Sequence, residues 1–235
     1  MKTSFIIPAH NEQHFIAPTI KAIQHAAHTT NTPFEIIVAD DASTDQTATL
    51  ARSLGATVIP VTHRQIAKTR NSGAQAATGD LLVFVDADTT LPPQTLAAAI
   101  RSITQGSIAG GALVAMDAPV SPGANLSIHL WNAISRLYRW AAGCFVYALP
   151  QPFHAVGGFD EQFFASEEIE LSKALQKQGP VNILSQHVIT SARKLQQPWR
   201  KQMIQLLTKT ILTNGKSLHQ RQGLEYWYET NRNQS

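Results

Sequence analysis

Cysteine is nearly missing from this chain. Cys144 stands alone among 235 residues, which excludes an internal disulfide and, with it, a small disulfide-stapled secreted fold. Long apolar runs are missing too: the best attempt, "LWNAISRLYRWAAGCFVYAL", is broken by Arg136 and Arg139 and cannot serve as an ordinary membrane span. At the start, Lys2 precedes an apolar run that meets His10, Asn11 and Glu12 before a signal-peptide core is complete. These absences predict a cytoplasmic protein. Charge of one sign is scarce as well. Lys plus Arg number 19 against 16 Asp plus Glu, and a net charge of +3 is too small for a dedicated nucleic-acid binder. Glycine does not occur in "IIPAHNE", so neither a dinucleotide G-x-G-x-x-G fingerprint nor a P-loop follows the first apolar segment.

What is present is a regular alternation. Hydrophobic residues make up 43% and charged residues 15%, enough to bury one substantial core. Apolar segments "SFIIP", "FEIIVAD", "TVIPV" and "DLLVFV" read as strands, separated by helical patterns in "EQHFIAPTIKAIQHAAH", "STDQTATLARSLG" and "AKTRNSGAQAA" and followed by the Pro-started "PPQTLAAAIRSI". In the second helix, Ser43 followed by Gln46 reads as a capping box and Gly55 as a stop. Strands that are apolar almost throughout, alternating with helices, predict an α/β fold: a mostly parallel central sheet with helices on both faces. After residue 105 the pattern changes, with "GSIAGGALVAM" a strand, "APVSPGAN" a loop and "LSIHLWNAISRLYRWAA" an amphipathic helix.

In such a sheet ligands bind beyond the C-terminal strand ends, a rule that gathers Pro8 to Glu12, Asp40, Asp41, Asp86 and Asp88 on one edge. Asp86 and Asp88 form a D-x-D at the end of "LLVFV", where two hard carboxylates suit Mg or Mn, and such a cation can bridge diphosphate oxygens. The plainer role for Asp88 or Thr90 is to cap the helix that starts near Pro92. Two acidic pairs on one edge repel unless something positive or hydrogen-bond-donating lies there. A third acidic group comes from "GGFDEQFFASEEIELSKALQKQG", where Ser166 reads as an N-cap and Glu167 and Glu168 fall in the first turn. The helix dipole alone accounts for either glutamate there, while a catalytic base needs the same rigid placement. His10 with His14, and His25 with His28, have zinc-compatible spacing but lack a third ligand at a matching distance.

Taken in order, "SFIIPAHNE", "IIVADDASTDQT", "AKTRNSGAQAATGDLLVFVDADT" and "VGGFDEQFFASEEIELSKAL" resemble the family-2 glycosyltransferases of GT-A fold, over roughly residues 3 to 195. The resemblance implies a Rossmann-like GT-A domain over 1–195, with a nucleotide-sugar-binding half at 1–105 and an acceptor half at 106–195. It places Pro8, Ala9 and Glu12 against the nucleoside, gives Asp40 or Asp41 the base edge, and sets Arg70 near the nucleotide. It also assigns Asp86 and Asp88 to the metal and sugar-nucleotide, with Asp88 the more direct ligand. The catalytic base falls on Glu168 or its neighbour Glu167, since Glu-Glu stands here where the family has Glu-Asp, and an extra methylene matters where positioning is tight. Implied partners are a nucleoside-diphosphate sugar, a UDP-sugar by default, and a hydroxyl acceptor, with lipid-linked acceptors common in the family. The implied cofactor is divalent Mn or Mg, and the implied reaction is a single inverting displacement that moves one sugar.

Two other readings of the same residues stand beside this one. "VFVDADTT" also fits a haloacid-dehalogenase-type phosphohydrolase with Asp86 as nucleophile, although four units precede it and no later aspartate pair follows. A fold that binds a nucleotide-sugar without turning it over is the second. Beyond the domain, a C-terminal extension at 196–235 places Trp199, Met203, Ile204, Leu207 and Ile211 on one helical face, with Arg200, Lys201 and Lys209 elsewhere. Such a stripe most often packs on its own domain or on a second copy. A basic amphipathic helix at 198–214 can instead lie on an anionic membrane, which would put the protein at the inner face.

Overall fold

The computed structural model describes residues 1–193. The predicted extension at 196–235 and its helix at 198–214 lie outside the described residues. Four strands come where the apolar segments predict them: β1 (Thr3–Ala9), β2 (Phe34–Asp41), β3 (Thr57–Val61) and β4 (Leu81–Val85). Helices α1 (Ile16–Thr29), α2 (Thr47–Ser53) and α3 (Ile66–Gln75) connect them. The chain continues through β5 (Thr89–Thr90), α4 (Pro93–Thr104), β6 (Ala109–Met116) and α5 (Pro122–Tyr138). It then runs through β7 (Phe145–Ala148), α6 (Pro150–Ala155), α7 (Glu167–Gln176) and β8 (Val181–Thr190).

All eight strands join one sheet in the order β3-β2-β1-β4-β7-β6-β8-β5. Pairs β1–β2, β1–β4, β2–β3 and β6–β8 are parallel, whereas β7 runs antiparallel to both β4 and β6. The sheet is therefore mixed, and mostly parallel as the apolar segments predict. Because side chains alternate along a strand, Phe5, Ile7, Val83 and Val85 face one core with Ile20 and Ile23 of α1 and Leu96 of α4. Ile6, Leu82 and Phe84 face the other, against Phe153 of α6, Phe159 and Leu175 of α7. Each fully buried side chain of this size contributes on the order of 1.5–3 kcal/mol, so the sheet is anchored from both sides.

The departures from the sequence reading have local causes. α1 begins at Ile16 rather than near Glu12, because the carbonyl of Glu12 closes a turn by accepting from the amides of Phe15 and Ile16. The Ser43–Gln46 capping box does not form. Ser43 Oγ accepts instead from Asn11 N at 2.9 Å, and Asp45 Oδ1 takes the amide of Thr47 at 2.9 Å. Ser166 does precede α7, but in a left-handed conformation (φ 65°) and with no cap bond from its side chain. Neither Asp88 nor Thr90 caps α4: Thr89 and Thr90 pair with β8, and the cap position is Pro92. The segment read as loop before α5 is already helical from Pro122, with Ser121 Oγ accepting from Ala124 N.

Gly110 of β6 shows how tightly β6, β7 and β8 pack together. A Cβ there would collide with the backbone oxygen of Asn182 on β8 and with the ring of Tyr147. Backbone cannot step aside as a flexible side chain can. Gly110→Ala is expected to cost about 3 kcal/mol of stability in denaturant unfolding. Gly55→Asn, at a φ of 81° with nothing within 4 Å, should cost less than about 1 kcal/mol in the same assay.

Candidate active site

The parallel strands deliver their C-terminal ends to one edge. Ala9 of β1 and Asp40 of β2 are register partners, and β4, beside β1, runs directly into Asp86. Non-glycine residues in the left-handed region follow three of these strands: Asn11 after β1, Ala42 after β2 and Arg64 after β3. Residues held this way cluster where surrounding structure fixes a functional turn.

Arg70 of α3 lies at the centre, 1% exposed. Its Nη1 donates to Glu167 Oε1 at 2.6 Å, and its Nη2 donates to Asp86 Oδ1 and to the carbonyl of Gly143, each at 2.8 Å. The ring of Phe159 lies 5.2 Å from the guanidinium carbon. Burial alone would lower its pKa, but Asp86, Glu167 and Glu168 outweigh that and raise it, so the charge is permanent. One guanidinium thus links the first aspartate of the D-x-D to the acidic start of α7.

The two glutamates of α7 have different surroundings. Glu167 is buried and engaged by Arg70. Glu168 is partly buried beside Gly143, where a Cβ would come within 3.6 Å of its Oε2. Burial pushes the Glu168 carboxyl up to about 8, with Glu167 adding to the rise and Arg70 opposing it.

The acidic pair at the end of β2 also divides. Asp41 is satisfied inside the fold, Oδ1 accepting from Arg64 N and Oδ2 from Thr69 Oγ1, both at 2.9 Å. Asp40 is buried, and its Oδ1 has no hydrogen-bond partner. A buried carboxylate oxygen without a donor is costly, and a ligand donor at this edge relieves it.

Arg193, just past β8, is the residue that sequence reasoning missed. It grips Glu12 with both terminal nitrogens, at 2.9 and 2.7 Å, lies 2.9 Å from Asp88 Oδ2, and stacks its guanidinium carbon 4.5 Å from the ring of Phe15. The only sequence signal available for it was charge balance, because an edge with this many acids demands a counter-charge without naming its source. His10, whose spacing to His14 is zinc-compatible, is engaged by backbone and arginine instead. Its Nδ1 is 2.7 Å from the carbonyl of Asp41 and its Nε2 3.0 Å from Arg64 Nη1, which makes it a brace between β1 and β2.

Asp86 and Asp88 offer hard oxygen donors one residue apart, and among the described residues no cluster of three or more His, Cys, Asp or Glu exists to cage an ion. Asp86 and Asp88 are hard carboxylate donors of the kind Mg or Mn takes, and each is also held by an arginine, Asp86 by Arg70 and Asp88 by Arg193.

A sequence profile described as Glycosyl transferase family 2 matches residues 4–146. The chain belongs to this family. A dolichol-phosphate mannosyltransferase of Pyrococcus furiosus is 35% identical over 112 residues, covering 46% of this chain and 31% of that protein. The chain thus spans about a third of that curated relative. Among solved structures, the mannosyltransferase PcManGT of Pyrobaculum calidifontis, in complex with GDP-Man and Mn2+, superposes with a TM-score of 0.66 at 20% identity, over 89% of this chain and 64% of that one. TarS (1–349) of S. aureus in complex with UDP-GlcNAc gives 0.64 at 19% identity, over 81% and 58%. The fold is that of the GT-A glycosyltransferases. Family membership removes the phosphohydrolase reading of Asp86.

The ion pairs of Arg70 set a stability expectation. Replacing Arg70 with Met leaves Asp86 and Glu167 without their counter-charge and should cost about 3–5 kcal/mol in denaturant unfolding. Arg70→Lys should recover little of it, because an ammonium cannot reproduce the fork that reaches Asp86, Gly143 and Glu167 together.

Proposed function

We propose that this glycosyltransferase moves one sugar from a nucleoside-diphosphate sugar, a UDP-sugar by default, to a hydroxyl acceptor, with inversion at the anomeric carbon. The observation that carries the reading is the single buried guanidinium of Arg70 that ties Asp86 to Glu167, the neighbour of Glu168. It holds donor motif and base in one rigid unit, the condition for an in-line displacement.

In this reading residues 1–105 form the nucleotide-sugar half and 106–195 the acceptor half. Pro8 and Ala9 line the nucleoside at the end of β1, with Glu12 oriented by Arg193. Asp40, rather than the already satisfied Asp41, accepts from the base edge through Oδ1. Asp88 and Asp86 hold Mn or Mg, which when bound neutralises charge on the departing diphosphate. Arg70 acts through Asp86 and Glu167, positioning both.

Glu168 takes the acceptor proton. As it does so, the acceptor oxygen forms its bond to the anomeric carbon from the face opposite the leaving group, the bond from that carbon to the diphosphate oxygen breaks, and the electron pair leaves on the nucleoside diphosphate. Glu167, committed to Arg70, cannot share this role. The mannosyltransferase relative is named for dolichol phosphate, so a lipid-linked acceptor that presents a hydroxyl is the first class to try; a lipid phosphate oxygen, already ionised near pH 8, would leave Glu168 no proton to take.

Calorimetric titration with UDP and GDP, with and without Mn2+, tests the donor side. Tight binding that requires Mn2+ and is lost in Asp88→Ala is expected. Asp40→Asn should weaken nucleotide binding about tenfold while leaving Mn2+ affinity unchanged, the loss of one hydrogen bond to a charged group. Nucleotide binding without turnover on any acceptor would favour the non-catalytic reading instead.

The pH profile tests the base. A carboxyl raised to about 8 is protonated below that pH, so the ionised fraction able to take a proton rises about tenfold per pH unit until it levels off. kcat/KM should follow, climbing to a plateau above about pH 8, and Glu168→Gln should lower kcat by at least about 100-fold with donor affinity retained. A flat profile, as an acceptor oxygen already ionised would give, retires Glu168 as the base.

A further inference from the structure

Helix α5 is apolar on two opposite faces. Inward, it sets Ala124, Ile128, Trp131 and Ser135 against the domain, and Asn132 bonds both the amide and the carbonyl of Val114 on β6 at 2.9 Å. Outward, Leu126, Leu130 and Leu137 are 70%, 59% and 75% exposed. With Ala133 they recur at helical spacing and form one stripe. Exposed large hydrophobics among the described residues are these three leucines, Tyr138 at the same helix end, and Met1. A concentrated apolar patch on a surface marks a contact.

The charge around the stripe selects the occupant. From residue 118 to 159 there is no aspartate or glutamate, while Arg136 and Arg139 flank the stripe's C-terminal end. Tyr138 and Trp140 stack there with ring centroids 4.8 Å apart, and Lys173 Nζ lies 5.3 Å from the Trp140 ring. Lys173 is itself paired with Glu170 at 2.7 Å, which leaves Arg136 and Arg139 as the charge beside the stripe. Leucines outward, amphipathic aromatics at one end and two flanking arginines are the chemistry of a helix lying in the headgroup region of an anionic bilayer. α5 also leads within a few residues to Gly143, whose carbonyl holds Arg70 beside Glu168.

We propose that the outer face of α5 docks the domain on an anionic membrane surface. Docking depends on exposed leucines and arginines, none of which belongs to the donor site, so it stands or falls separately from the transfer reaction.

The test uses the full chain and sedimentation with vesicles of phosphatidylglycerol and phosphatidylethanolamine, compared with neutral phosphatidylcholine vesicles. The wild type should bind the anionic vesicles, more weakly as salt rises. The triple variant L126Q/L130Q/L137Q should bind at least about tenfold more weakly, since burying even one leucine is worth about that factor. Arg136→Gln with Arg139→Asn should reduce binding to anionic vesicles and flatten its salt dependence. Nucleotide binding and melting temperature of the triple variant, measured on the same preparations, should match the wild type. The proposal is overturned by wild-type protein that ignores anionic vesicles, or by a triple variant that binds them as well as wild type. A triple variant that melts well below the wild type would mean that the chain's own residues cover α5. One that turns a dimer into a monomer would assign the face to a second copy, and either result also overturns the proposal.

Discussion

A buried positive charge is the constraint around which this domain is organised. Arg70 has almost no access to water, so the hydration it loses must be replaced by protein oxygens, and these come from three separate elements: the end of β4, the turn before β7, and the first residue of α7. Each is drawn to the same point by the same need. The antiparallel β7 matters for this reason. By inserting between β4 and β6 it brings the Gly143 carbonyl beside the D-x-D, and the Cys144 carbonyl accepts from the amide of Asp86 at 3.2 Å.

The same economy of charge explains how neighbouring acids differ. Asp40 and Asp41 are adjacent in sequence, as are Glu167 and Glu168, yet one member of each pair is consumed by internal donors and the other is turned toward the strand-end edge or held in a poorly solvated position. A strand or helix sends successive side chains in different directions, so the two members of each acidic pair meet different surroundings.

Much of this was legible in the sequence. The first four strands and the gathering of Asp40, Asp41, Asp86 and Asp88 on one edge follow from apolar runs and from the rule for parallel sheets. Less could be read where tertiary contacts outbid local signals. Ser43 is a good cap in isolation, but the Asn11 amide claims its hydroxyl. β7 is four buried residues in a run with no periodicity of its own. Which member of each acidic pair does what depends on Arg64, Thr69 and Arg70, whose positions no local pattern specifies. Arg193 is further out of reach still, since nothing about "SARK" reveals that its guanidinium returns to Glu12.

That return has a consequence for how the domain comes into being. The clasp joins residues 181 positions apart in sequence. A ribosome delivers the N-terminal strands, the D-x-D and the acidic helix well before residue 193, and domains fold as units from the N-terminal side. Glu12 and Asp88 gain Arg193 only once the final strand has been made and seated. The nascent chain therefore carries all the acids of its site before it holds the arginine that keeps two of them in place.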